Sequence, residues 1–247
     1  MAAMTSQPFS APQNLAIMQP TFLPWVGYFA LMDRVDRFVF LDDVQFDKRS
    51  WQQRNRIKTA NGPVWLTVPV LTKGRRDQTL SEAEIQPGSR FGETALKTLE
   101  HAYTKAPFYT AVMEALVPVF QQHDIRLCDL NLGLIKAFCD LMGLRADTVR
   151  SSETPVQSAK AQRLADLCRV HGATTYISPP GSKDYLEDDP SLSDSGIELQ
   201  YFSYEHPEWP QRHGAFEPYM SVVDLVMNAL PDALTILRSG LCEEISA

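Results

Sequence analysis

Two short runs, Leu-Ala-Ile-Met at 15–18 and Phe-Val-Phe-Leu at 38–41, carry no polar residue, and a helix-length segment lies between them. A strand with water on one face alternates apolar and polar positions. A run apolar on both faces belongs to a sheet covered on both sides, as in parallel α/β architectures. The first run breaks at Gln19-Pro20, because the residue before a proline is restricted, and the strand ends there. Pro24 suits the first turn of a helix, and Trp25, Tyr28, Phe29, Leu31 and Met32 give that helix an apolar face. The second run leads into Asp42-Asp43, at the carboxyl end of a strand, where α/β sheets bind ligands. Beyond it, Gln45, Lys48, Arg49, Gln52, Gln53, Arg54, Asn55, Arg56 and Lys58 alternate with Phe46 and Trp51. A solvated polar loop accounts for the charges alone. The interleaved aromatics, clustered after a buried strand, favour a site.

Residues 64–70 read as a third strand that Pro69 interrupts near its end or at an edge, and 71–78, with Lys73, Gly74, Arg75 and Arg76, as a mobile basic loop. Three helical patterns follow at 90–103, 107–122 and 125–141, a block inserted between two halves of the sheet. His101 and Tyr103 end the first of them; a histidine there serves as a cap or packing residue, or as a catalyst. Strand, helix and strand then alternate through 147–150, 158–171, 174–178 and 197–203, which argues for parallel pairing. Ser178-Pro179-Pro180-Gly181-Ser182-Lys183 joins a strand to a helix start, where backbone N–H groups and a lysine can hold an anion. No Walker loop or GxGxxG occurs. Aromatic residues 201–209, with Tyr204 and His206, suit a sugar or base ring or pack on the sheet edge. In the final helices, 220–229 and 232–238, Asp224 and Asn228 lie four apart on one face; they act on one target or cap a buried loop.

The chain has 247 residues, 44% of them apolar, enough for one sizeable core; the expectation is a disordered tail at 1–13 and a single domain at 14–247. A net charge of −7 speaks against nucleic-acid binding by the whole surface. No run is long enough to span a bilayer and no signal peptide is evident, so the expected location is the cytoplasm. Cys128, Cys139, Cys168 and Cys242 are far apart, which gives no support to a zinc site or a disulfide framework. Asp42, Asp43 and Asp224 leave a divalent metal undecided, since adjacent residues beyond a strand point to opposite sides. No histidine accompanies a GxSxG or catalytic-cysteine signature.

From about residue 14 onward the chain resembles the WbqC-like family, found in bacterial O-antigen and surface-polysaccharide clusters. The resemblance rests on MQPTFLPWVGYFAL, FVFLDDVQFDKRSWQQRNRIK and VWLTVPV, and later on His101-Ala102-Tyr103, Tyr176-Ile177-Ser178 with Gly181, Tyr204-Glu205-His206-Pro207 and Ser221-Val222-Val223-Asp224-Leu225. Two departures stand out: Met18 replaces the family's histidine before Gln-Pro, and prolines stiffen the loop after Ser178. The resemblance implies a role in making a surface glycan or related glycoconjugate. Within it, the reading is transfer of an acyl or aminoacyl group to the amine of a nucleotide-linked amino sugar, a small-molecule substrate that a carrier protein could supply with its acyl partner. Such a step needs a base, oxyanion donors and cations near phosphate. Asp43 or Asp42 is the expected base, Gln19 and Asn55 are donors, and Arg56, Lys58 and Lys183 hold phosphate, with His101 a further catalytic candidate. Trp25, Tyr28, Gln45, Lys48, Ser178, Tyr185, Tyr204, His206, Asp224 and Asn228 are the expected substrate contacts. Two alternatives remain open, an adenylate-forming ligase or nucleotidyltransferase-like enzyme using ATP and a noncatalytic glycan or nucleotide-sugar binder; the sequence names no cofactor.

Overall fold

The computed structural model describes residues 13–122, 125–242 and 245–246. Apart from Gln13, the expected disordered tail lies outside them, as does His123. Gln13 itself is held, its carbonyl accepting from the N–H groups of Thr174 and Thr175. The two apolar runs form β1 (Asn14–Met18) and β2 (Arg37–Phe40), joined by α1 (Val26–Arg34) and paired in parallel with Leu15 opposite Arg37 and Met18 opposite Phe40. Leu15, Ile17 and Val39 enter one apolar core, and Ala16, Phe38 and Phe40 the other. Both faces of each strand are buried, so neither run alternates.

Residues 54–58, a stretch of polar residues to which the sequence assigned no strand, form most of β3 (Arg54–Thr59), which pairs antiparallel with β4 (Gly62–Thr67) in a hairpin separate from the main sheet. Asn55 and Ile57 are buried on its inner face, so a single apolar residue carries the inward period and the strand signal is weak. Pro69 lies beyond β4 rather than within it. The basic loop that follows is tied down by an Arg75–Glu84 ion pair at 3.0 Å and by the Leu71 N–H on the Glu84 carbonyl. The helical block is α2 (Phe91–Tyr103), α3 (Tyr109–Phe120) and α4 (Leu127–Met142). Gly143, at φ 70°, closes α4 in the left-handed conformation that glycine adopts without strain.

The chain then runs through β5 (Asp147–Arg150), α5 (Lys160–Val170), β6 (Thr175–Ser178), the short helices α6 (Lys183–Leu186) and α7 (Ser191–Asp194), and β7 (Glu198–Tyr201). After a long loop, α8 (Val222–Ala229) and α9 (Ala233–Ser239) precede β8 (Ile245–Ser246). The sheet order is β5-β2-β1-β6-β7-β8, with every pairing parallel except that of the edge strand β8, which the sequence did not signal. Helices α5 and α7 cover one face; α1 to α4, α8 and α9 pack in the core of the other. This is a mostly parallel α/β sheet with a helical block inserted between its halves. Starting at β1, the chain moves outward to β5 and returns on the far side of β1 as β6, so its direction reverses between β1 and β6. In open α/β sheets ligands bind beyond the carboxyl ends of the strands at such a reversal.

Candidate functional site

Beyond Met18 the chain cannot continue as a strand, and three amide side chains shape its turn. Asn131 Nδ2 donates to the Pro20 carbonyl at 3.0 Å and to the Gln52 carbonyl at 2.8 Å. Gln52 Nε2 donates to Gln19 Oε1 at 2.8 Å. Asn55 Nδ2 donates to the carbonyls of Phe22 at 3.3 Å and Leu23 at 2.7 Å. Leu23 is held at φ 46°, a left-handed conformation that costs a non-glycine residue about 1–3 kcal/mol and persists only where the surroundings enforce it. The turn delivers Trp25 to the start of α1, with its indole in the space a Cβ on Gly27 would take.

A cavity of about 420 Å³ opens here, lined by Met18, Thr21, Trp25, Tyr28, Trp51, Asn55, Arg56 and Tyr219. Its size is that of a small-molecule site and half of its lining residues are aromatic. Burial pushes the Tyr28 phenol well above its usual range; it stays protonated and donates to the Gln19 carbonyl at 3.2 Å. Arg56 is half-buried, and its Nε is buried with no hydrogen-bond partner. A stranded buried donor costs roughly 1–3 kcal/mol, which an anionic or acceptor-rich ligand would recover. A larger hollow, about 820 Å³, follows edge strand β5 and α4 away from the β1–β6 reversal; of its charged residues, Lys136 pairs with Asp140, Asp147 with Arg37, and Arg150 with Asp42 and Asp129.

Behind Trp25 lies an aromatic stack from the loop of residues 202–221. The His206 ring stacks on Trp25 at 6.0 Å and on Trp209 at 5.3 Å, with Tyr219 edge-on at 4.9 Å. His206 Nε2 accepts the Tyr219 N–H at 3.1 Å, so its proton sits on Nδ1, which donates to the Pro207 carbonyl at 2.8 Å. Burial lowers its pKa and keeps the ring neutral. That bond supports Tyr219 at φ 59° and 56% exposed on the cavity rim. Two buried groups anchor the loop. Asp224 accepts from Trp209 Nε1 at 2.9 Å and from the Tyr103 hydroxyl at 3.0 Å, and burial raises its pKa. Lys58 Nζ donates to Gln211 Oε1 at 3.0 Å and to the carbonyls of Gly214 and Ala215. Asn228 Nδ2 bonds back to the Asp224 carbonyl one turn earlier in α8 at 2.7 Å, while the Asp224 carboxylate reaches the loop.

At the carboxyl ends of β2 and β5 the two aspartates separate in role. Asp42 is wholly buried and accepts from Arg150 Nε at 2.7 Å, Ser152 Oγ at 2.8 Å and the Ser152 N–H at 3.0 Å. Burial raises its pKa, but these donors outweigh that and hold the carboxyl below its usual value. Asp43 is partly exposed, takes the Ser151 hydroxyl and pairs with Arg163 at 2.5 Å. Burial pushes the Cys128, Cys139 and Cys168 thiols up to about 12, which makes these three poor nucleophiles. Among the described residues no group of three His, Cys, Asp or Glu is placed to hold a metal ion, and no helix is long and apolar enough to cross a membrane.

The model of the WbqC-like protein family matches residues 19–236. The chain belongs to the WbqC-like family. It is also similar to a Mycobacterium tuberculosis (strain ATCC 25618 / H37Rv) protein named "Uncharacterized protein Rv1507c", 35% identical over 228 residues, which span 92% of this chain and 98% of that one. No solved structure matches the chain.

In this WbqC-like protein Trp25, Tyr28, Asn55 and Arg56 line one cavity, beside Gln19 and in front of Tyr204 and His206. Met18, at the position of the family's histidine, lines it too. Asp42 and Asp43 do not line it. Ser178 is buried against the Ser182 hydroxyl, while Lys183 is exposed, 5.8 Å from the Tyr201 ring, near an exposed Tyr185. Gln45 donates to the Arg76 carbonyl at 3.1 Å and Lys48 is exposed. His101 lines a separate hollow with Trp65. Thr21, Trp51 and Tyr219 were not singled out as contacts from sequence. Trp51 stood among the interleaved aromatics and was open to notice, whereas nothing local marks Tyr219, which a long loop brings in from the end of the chain.

Proposed function

We propose that this WbqC-like protein is a biosynthetic enzyme of surface glycans or glycoconjugates that binds a nucleotide-linked amino sugar beyond β1 and transfers an acyl or aminoacyl group to its amine. The observation that carries the reading is the cavity at the sheet reversal, half of its lining residues aromatic and Arg56 among them with no ion-pair partner among the described residues, inside a chain of net charge −7. Aromatic walls suit the ring, and the Arg56 guanidinium suits a phosphate. The amine lone pair attacks the acyl carbonyl of an activated donor, the C–N bond forms, and the donor's leaving group departs. Asp43, partly exposed at the neighbouring strand end and off the cavity lining, takes the ammonium proton through an intervening water, while the buried Asp42 holds the strand ends in place. Gln19, whose Oε1 is bound by Gln52, has its NH2 group to offer to the oxyanion.

Full-length protein incubated with nucleotide-linked amino sugars and acyl thioesters is expected to give a product heavier by the acyl group in mass spectrometry. Asp43→Asn is expected to lower kcat by about 100-fold with sugar-nucleotide affinity retained. A second reading, a noncatalytic binder, is favoured by one observation: among the described residues no carboxylate or imidazole lines the cavity. Binding without turnover would decide for it, and thermal stabilisation by ATP with Mg²⁺ instead of nucleotide-sugars would decide for the adenylate-forming alternative.

A further inference from the structure

The hairpin of β3 and β4 turns a basic row and a tryptophan away from the core. Alternation along β3 places Arg54, Arg56 and Lys58 on one face, and the pairing of Arg56 with Trp65 puts that indole on the same face. Along the row the environments differ. Lys58 is buried beneath residues 211–215, Arg56 opens into the cavity, and Arg54 holds its guanidinium 4.4 Å over the Trp65 ring. Trp51, on the cavity lining, lies 5.5 Å from Trp65 with the planes 37° apart. The two indoles are 51% and 46% exposed. Neither Arg54 nor Arg56 has an ion-pair partner among the described residues; each lies over the Trp65 ring.

We propose that this shelf, outside the cavity and continuous with it, holds the nucleoside diphosphate of the substrate, with the base stacked at Trp51 and Trp65 and the diphosphate along Arg54 and Arg56. The inference rests on the nucleotide-sugar reading and adds its orientation, sugar inward and base outward. An aromatic platform accepts any base, because every base has a π-face, and guanidinium groups match phosphate oxygens. Outward positions two apart on a strand are separated by about 6.6 Å, so each arginine can serve one phosphoryl group. A hairpin that only packed on the core would have no use for half-exposed indoles beside unpaired cations. The inner end of the cavity meets Met18 and Tyr28 at the carboxyl end of β1, and about 420 Å³ leaves room for the sugar there while the base stays outside.

Isothermal titration of the full chain with uridine and guanosine 5′-diphosphate, inorganic pyrophosphate and glucosamine 1-phosphate separates the parts. Both nucleoside diphosphates are expected to bind about tenfold tighter than pyrophosphate, one stacked base's worth. Trp65→Leu is expected to erase that difference and leave glucosamine 1-phosphate affinity unchanged. Arg54→Ser, on the outer face of β3, is expected to weaken nucleoside diphosphates and pyrophosphate alike. Glucosamine 1-phosphate binding with nucleoside diphosphates no tighter than pyrophosphate, or with both variants behaving as wild type, overturns the shelf and leaves the cavity reading standing. Trp65-dependent nucleoside diphosphate binding in a protein that acylates no amino sugar supports the shelf and overturns the transferase. Failure of all four probes to bind overturns both.

Discussion

His206 shows how much one proton position decides at the residue scale. Because Nε2 accepts the Tyr219 N–H, a second proton there would set two donors against each other and release Tyr219 from the rim. The groups facing the ring are Trp25, Trp209, Phe216 and Tyr219, with the Glu208 carboxylate nearby favouring the charged form; burial outweighs it and lowers the pKa from 6.5. A histidine depressed on folding contributes stability that is complete above the unfolded value of about 6.5 and is lost as pH falls through the folded one. The melting temperature is therefore expected to fall from pH 7 to pH 5 more steeply in the wild type than in His206→Phe, which keeps the stack but cannot titrate. Equal slopes in the two proteins would remove His206 from the account. Arg56 and Leu23 belong to the same scale: a stranded donor and a left-handed leucine are costs the fold retains around one cavity.

At the scale of elements, α1 begins against its own indole. Glycine inside a helix is about 1 kcal/mol worse than alanine, so Gly27→Ala would ordinarily stabilise the protein. Here the added methyl meets the Trp25 ring, which must leave its place between α1 and His206. The expected outcome is a lower melting temperature and a loss of ligand-dependent tryptophan quenching; a gain in stability with quenching intact would show that Trp25 moves freely. The loop of residues 202–221 is the other telling element. Loops of this length without regular structure are uncommon in compact domains and are usually functional. This one is fastened by Lys58 and Asp224 from β3 and α8, and His206 within it holds Tyr219 at the cavity rim.

At the scale of the whole molecule, the sheet order determines where a ligand can act. The reversal at β1 leaves one crevice at the carboxyl end of that strand, and the turn after β1, the β3–β4 hairpin and the loop before α8 converge on it. Hydrogen exchange with and without a bound nucleotide-sugar is therefore expected to show added protection at 19–25, 51–56 and 204–221, and none on α5 and α7, which cover the opposite face. Protection centred on β5 and α4 instead would move the site to the larger hollow.

The parallel sheet, the helical block and most element positions were legible in the sequence because each rests on local periodicity: unbroken apolar runs for β1 and β2, a stripe every three to four residues for α2 to α4. β3 was not legible, since its inward set is Asn55 and Ile57, and a buried asparagine is explained only by the carbonyls of Phe22 and Leu23 it bonds. The candidate site was legible as a neighbourhood, through the polar and aromatic residues crowded between Gln19 and Lys58. Which of them share a space was decided by tertiary structure alone. Asp42 turns to Arg150 and Ser152, Lys58 to the loop at 211–215, and Arg56 to the cavity, with partners about 100 or more residues away in the first two cases. Spacing along a chain sets which face a side chain points to; what stands opposite that face is set by how distant elements close the core against it.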